Sequence, residues 1–140
     1  MGAEQNKAVM REFLEASAAD NGARIRELLA PDFIAHLAAG PVGLDAFLEH
    51  NSITGDAFSE KVFTIKDQIA EGDRVAARTV WEGTHSGDLR GIPPTGKRIA
   101  ISAFVVDRIR DGKVVEHWSL FDQMGMMQQL GVVAAPSRTK

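Results

Sequence analysis

Residues 98–122 read RIAISAFVVDRIRDGKVVEHWSLFD. Apolar and polar residues alternate on both sides of Asp111-Gly112, a dipeptide that favours two-residue hairpin turns. The stretch therefore predicts two long antiparallel strands. Moving upstream, RVAARTVWEGTH (74–85) predicts a third strand and KVFTIKDQIA (61–70) a fourth, joined across Glu71-Gly72-Asp73. Moving downstream, QMGMMQQLG (123–131) predicts a short closing helix that ends at Gly131. Before Phe58 the period changes to that of a helix. Val9, Met10, Phe13 and Leu14 form one stripe within 4–17, and Ile25, Leu28 and Leu29 another within 23–30, stopped by Pro31. Residues 32–37 are short and extended, and 43–53 form a third helix with Leu44, Phe47 and Leu48 inward. Helices first and a meander of strands afterwards predict an α+β chain with the helices on one sheet face. No repeat or linker divides it, so residues 1–140 are read as one domain with a core at about 4–131.

Composition narrows the function classes. Cys is absent, which removes disulfides, thiolate nucleophiles and cysteine metal sites together. The four His show neither H-x-x-x-H nor H-E-x-x-H spacing, so no metal is expected. A net charge of −3 with scattered Lys and Arg gives no basic stripe for nucleic acid. No apolar run approaches the roughly 18 residues of a membrane span, and the amino end lacks a secretory signal. A cytoplasmic location is the expectation. No G-x-S-x-G elbow supports a serine nucleophile.

GIPPTGKR (91–98) comes within one residue of a phosphate loop, with Arg98 where Ser or Thr belongs. A phosphate loop opens a helix, whereas a strand-like pattern follows Lys97. Pro93 and Pro94 also remove two N–H donors. The stretch reads as a stiff rim between strands, and no nucleotide is expected.

From Glu82 to Gly131 the chain carries G-T-H, the G-I-P-P-T-G-K loop, D-G-K, E-x-W and an Asp before Q-Q-L-G. These features resemble the SnoaL-like branch of the NTF2-like superfamily, with a similar layout over about residues 4–131. The resemblance implies a cone in which three N-terminal helices pack on a curved antiparallel β-sheet. It also implies polyketide ester cyclase chemistry, an intramolecular aldol condensation without cofactor or metal.

The resemblance places Asp122 where such cyclases keep an acid/base carboxylate. Plain alternation sets it on one face with Val114, Glu116, Trp118 and Leu120. Its alternative role is the N-cap of the helix beginning at Gln123. His85, on the face of Thr79 and Trp81, is a candidate donor to a substrate carbonyl or a residue satisfied by loop backbone. His36 is a third candidate. His117 faces away from Trp118 and reads as structural unless a bulge turns it inward. His50 reads as solvent-facing. Trp118, Trp81, Phe33, Phe47 and Phe104 are candidate apolar walls for a small hydrophobic ligand. Arg78 is a further candidate for the substrate-binding wall, with Glu116 and Asp107 as possible partners across the sheet.

The leading expectation is an acid/base enzyme acting on a small hydrophobic carbonyl compound. The chain has no Tyr, so the Tyr-dependent isomerase and dehydratase mechanisms of the superfamily do not transfer unchanged. An Asp–Arg–Asp epoxide hydrolase set is a minor reading. A non-catalytic small-molecule binding protein is the alternative. A homodimer is expected on the sheet face away from the helices, where Ile99, Ile101 and Val105 would need cover.

Overall fold

The computed structural model describes residues 2–134. The chain runs α1 (Ala3–Ala18), α2 (Gly22–Leu28), β1 (Leu29–Leu37), β2 (Gly40–Val42), α3 (Leu44–Asp56), β3 (Phe58–Glu71), β4 (Arg74–His85), β5 (Arg98–Arg110), β6 (Lys113–Phe121) and α4 (Gln123–Leu130). The strands form one curved, open sheet in the order β2-β1-β6-β5-β4-β3. The β3–β4, β4–β5 and β5–β6 pairs are antiparallel, as the alternation predicts. The β1–β6 pair is parallel, and the two strands are joined by a long connection through β2, α3 and β3–β5 rather than by a hairpin. Asp111 (φ 54°) and Gly112 (φ 75°) both adopt the left-handed turn that joins β5 to β6.

Two element boundaries differ from the sequence reading. α2 stops at Leu28, before Pro31, and Leu29 is already extended and buried in β1. Ladder pairing of Leu29 with Val114 outweighs the helical spacing of Leu28-Leu29. The three-residue β2 answers Ala35–Leu37 and has no signature of its own.

The helices cover the concave face. Phe13 from α1, Phe33 from β1 and Phe47 from α3 meet with ring centroids 5.3–6.2 Å apart, in edge-on or tilted packing. Met10, Ile25, Val75, Val105, Ile109 and Val114 complete this first cluster. Burying each large side chain contributes about 1.5–3 kcal/mol. A second cluster, at the other end of the concave face, joins Ala57, Phe58, Leu89, Ile99, Ile101, Met126 and Leu130. It forms because α4 folds back on β5, where Gln129 bonds both Ala100 N–H and Ala100 C=O. Ile99, Ile101 and Val105 are therefore buried inside these clusters and need no cover from a second chain. The outer face instead exposes Phe104 and Leu120, which are register partners, and Ile34. Among the described residues, no helix is long and apolar enough to cross a membrane.

One irregularity decides which side chains face which way. Arg108 pairs with Glu116 and Ile109 with Val114, so Val115 is an extra residue, a β-bulge. Val114 faces the first cluster, but beyond the bulge the phase is inverted. Glu116 and Trp118 lie on the outer face, and His117 points into the core.

Candidate active site

The bulge brings His117 opposite Asp107 on the concave floor. His117 Nδ1 lies 2.6 Å from Asp107 Oδ1, and the Asp107 side chain is fully buried. The rings of Phe13, Phe33 and Phe47 surround the imidazole at 5.3–6.5 Å. Among the described residues, Asp107 Oδ2 is buried without a hydrogen-bond partner. Burial pushes the Asp107 carboxyl above its usual range, and His117 partly opposes that rise.

Beyond this floor the side chains of the concave face between the two clusters are only partly covered. The face continues through Ser119 and Phe121 of β6, Ala103 of β5, Thr79 and Trp81 of β4, and Phe63 of β3, all matched in register. Ser119, Ala103, Trp81 and Phe63 are half-buried and Phe121 is 38% exposed. Thr79 Oγ1 donates to Ala103 C=O, so its hydroxyl hydrogen is engaged. The band is mostly apolar, with small side chains at Ala103 and Ser119. A cleft of about 260 Å³ is lined by Asn6, Gly72, Asp73, Ile109, Arg110 and Asp111, and one of about 190 Å³, lined by Glu15, Ala18, Ala19, Lys61 and Phe63, lies where α1 meets β3.

The other expected site residues fall in three separate places. Asp122 is exposed and is the N-cap of α4, accepting Gly125 N–H at 2.9 Å. Among the described residues, no hydrogen bond joins it to His85 or His36. His85 is on the concave side but completely buried. Its Nδ1 accepts Thr95 N–H at 3.1 Å, and its backbone bonds Gly96 N–H and Lys97 C=O. It therefore pins the 86–97 loop to the end of β4 and packs on Phe58. That loop leads into β5, and its tip is a tight turn between Leu89 and Ile92. His50 is exposed, as expected, and its Nδ1 lies 2.9 Å from an Arg90 guanidinium nitrogen. Partial burial and the Arg90 charge lower its pKa.

His36 and Trp118 are on the outer face, not in a cavity with Asp122. Their rings stack at 5.0 Å and 8°. His36 Nε2 donates to Glu116 Oε2 at 2.7 Å, and Arg108 donates to the other carboxylate oxygen at 3.2 Å. The His36 bond, helped by Arg108, holds Glu116 below the usual carboxylate range. Arg74 lies over the Trp118 ring at 5.5 Å. Arg78 pairs with Asp67 across β3–β4 at 3.1 Å, not with Glu116 or Asp107. Phe104 shares this outer face. Of the expected apolar walls, Phe33 and Phe47 belong to the first cluster and only Trp81 borders the open band. Among the described residues, no three His, Asp or Glu side chains converge as metal ligands.

Sequence reasoning passed over the Asp107–His117 pair because it carried one phase through β6. The signal was the doubled Val114-Val115, two apolar residues where strict alternation allows one.

Comparisons with known proteins agree with this architecture. The family described as SnoaL-like polyketide cyclase matches residues 7–130. A nogalonic acid methyl ester cyclase of Streptomyces nogalater is 34% identical over 111 residues, covering 76% of this chain and 83% of that protein. An aklanonic acid methyl ester cyclase, DnrD of Streptomyces peucetius, is 37% identical over 76 residues. That match covers 54% of this chain and about half of the relative, 52%. Among solved structures, IdmH from Streptomyces antibioticus, for which polyketide cyclisation is proposed, superposes with a TM-score of 0.80 at 33% identity. It covers 91% of this chain and 99% of that one. AclR from Streptomyces galilaeus, for which hydroxylation is proposed, gives 0.88 at 27% identity over 98% and 87% of the two chains.

Proposed function

The chain belongs to the SnoaL-like polyketide cyclase family, and from that premise we propose that it closes a ring in a small, apolar, polycarbonyl compound by cofactor-independent acid/base chemistry. The observation that carries this reading is the half-buried band on the concave face between the two hydrophobic clusters. Trp81, Phe63 and Phe121 supply apolar side chains, with the small Ala103 and Ser119 between them on the same face. Ligand sites of this kind are mostly apolar with few polar groups. An intramolecular aldol closure suits such a band. It needs a folded substrate held with its carbon acid near its acceptor carbonyl, together with a proton acceptor in a place shielded from water.

The test is turnover of a panel of enolisable polycarbonyl esters and ketones, read by mass spectrometry with metal and nucleotide omitted. Ring closure by aldol addition leaves the mass unchanged, and later loss of water lowers it. Addition of one oxygen atom would instead favour hydroxylation. Tight binding of the panel without any conversion would favour a binding protein.

A further inference from the structure

Taking a carboxylate and an imidazole out of water together is costly, and native structures rarely leave such groups half satisfied. Asp107 nevertheless spends one oxygen on His117 and, among the described residues, leaves Oδ2 buried and unpartnered. A pair kept for packing would be cheaper as two aliphatic residues of similar volume. The geometry has a chemical use instead. With Nδ1–H donated to Asp107, the neutral imidazole carries its bare lone pair on Nε2. Nε2 makes no hydrogen bond among the described residues, and 6% of the His117 side chain stays accessible. The neighbouring position on this face, Ser119, begins the open band about 7 Å further along the strand.

No other histidine is placed for this. His36 Nε2 is bonded to Glu116 on the outer face. His50 faces Arg90. His85 accepts at Nδ1 from Thr95 N–H, so its proton sits on Nε2 and it has no free lone pair.

We infer that His117 Nε2 is the proton acceptor for a carbon acid bound in the concave band, with Asp107 as its positioning residue. This rests on the ring-closure reading above. The imidazole takes a proton from the carbon beside a carbonyl, and the C–H electron pair forms the enolate. The enolate carbon attacks the second carbonyl, a C–C bond forms, and that carbonyl's π pair moves to oxygen. The alkoxide recovers the proton from Nε2–H. Atoms and electrons balance with no oxidant. The Asp107 carboxylate opposes the imidazolium charge formed on the way. From the packed elements α1, β1 and α3 the rings of Phe13, Phe33 and Phe47 face the imidazole, and among the described residues Asp107 of β5 is the titratable group bonded to it.

The decisive measurement does not require ring closure. Exchange of the α-protons of 2-tetralone in D₂O is followed by NMR with wild type, His117→Gln and Asp107→Asn. Circular dichroism and naphthalene binding check the fold and the band. Wild type should accelerate exchange over buffer, and His117→Gln should lower that acceleration by about 10²–10⁴-fold while naphthalene affinity stays within about threefold. Asp107→Asn keeps the volume but has no charge to oppose the imidazolium, so it should lower the exchange rate while naphthalene affinity stays within about threefold. That loss of rate at unchanged affinity tests the pair even if His117→Gln fails to fold. Equal exchange with wild type and a folded His117→Gln, or no acceleration by wild type, would overturn the assignment. Exchange that depends on His117 without cyclisation of any panel compound would retire only the ring-closure reading.

Discussion

Asp107 ties the concave floor to the pH dependence of stability. Its folded pKa is raised, mainly by burial, so the native chain holds this proton more tightly than the unfolded chain does. The corresponding stability is fully present below the unfolded value of about 3.9 and is lost as pH rises through the folded value. Asp107→Asn removes that loss. Urea unfolding from pH 3.5 upward should show the variant gaining stability relative to wild type as pH rises, and a pH-independent difference would contradict the burial argument. Asp122 makes a separate, local contribution. Its carboxylate fits over Gly125 only because that residue has no side chain, since a Cβ there would lie 2.1 Å from Asp122 Oδ2. Asp122→Ala should cost about 0.5–2 kcal/mol and Asp122→Asn much less. Gly125→Ala should cost a similar amount in wild type and little in the Asp122→Ala background, as thermal unfolding of the double-mutant cycle would reveal. Independent, additive effects would argue against the cap. The cap was legible in the sequence as Asp before a helix. The burial of Asp107 was not, because a carboxylate in a strand is read as solvent-facing until its partner is known.

The strands show why the site was harder to read than the fold. Alternation, Asp111-Gly112 and the spacing of Phe13, Leu28 and Phe47 are local signals, and they specify the long strands and helices correctly. Which face a strand offers depends on phase, and one bulge inverts it. Val115 thus moves His117 to the floor and Trp118 to the outside, a change no single residue announces. The register makes this testable. Deleting Val115 leaves Ile109–Val114, Arg108–Glu116 and Asp107–His117 paired as they are, so the facing of His117 should survive. The variant should fold with the His117–Asp107 hydrogen bond intact by NMR, at the cost of one buried Val, about 1.5–3 kcal/mol. Inserting an Ala after Val115 should do the opposite. It would drive Glu116 and Trp118 inward, break the His36 stack and cost the fold. If the deletion unfolds the chain and the insertion does not, the assignment of the extra residue is wrong.

In the assembled chain, the two faces of the sheet have different occupants. The concave face is covered by α1, α2, α3 and α4 except at the open band, whereas no described element covers the outer face around Phe104 and Leu120. Phe104 is 63% exposed and Leu120 76%, side by side on paired strands, with Ile34 exposed on β1. Around this apolar row stand Trp118, stacked on His36 and roofed by Arg74, and the Glu116–Arg108 pair. Large apolar and aromatic groups beside Arg and a bonded carboxylate have the composition of a protein interface, and an uncovered sheet face suits twofold self-association. The expected occupant is a second copy of this chain. Light scattering should give twice the 15.2 kDa chain mass at micromolar concentration. Phe104→Glu with Leu120→Glu should yield a monomer, because two buried carboxylates would be set against each partner's apolar row. Both substituted residues point away from the concave floor, so 2-tetralone exchange per chain should be retained in that monomer. A wild-type chain that is monomeric at this concentration would remove the dimer. A monomeric variant that loses exchange would mean that the outer face supports the catalytic floor through the sheet.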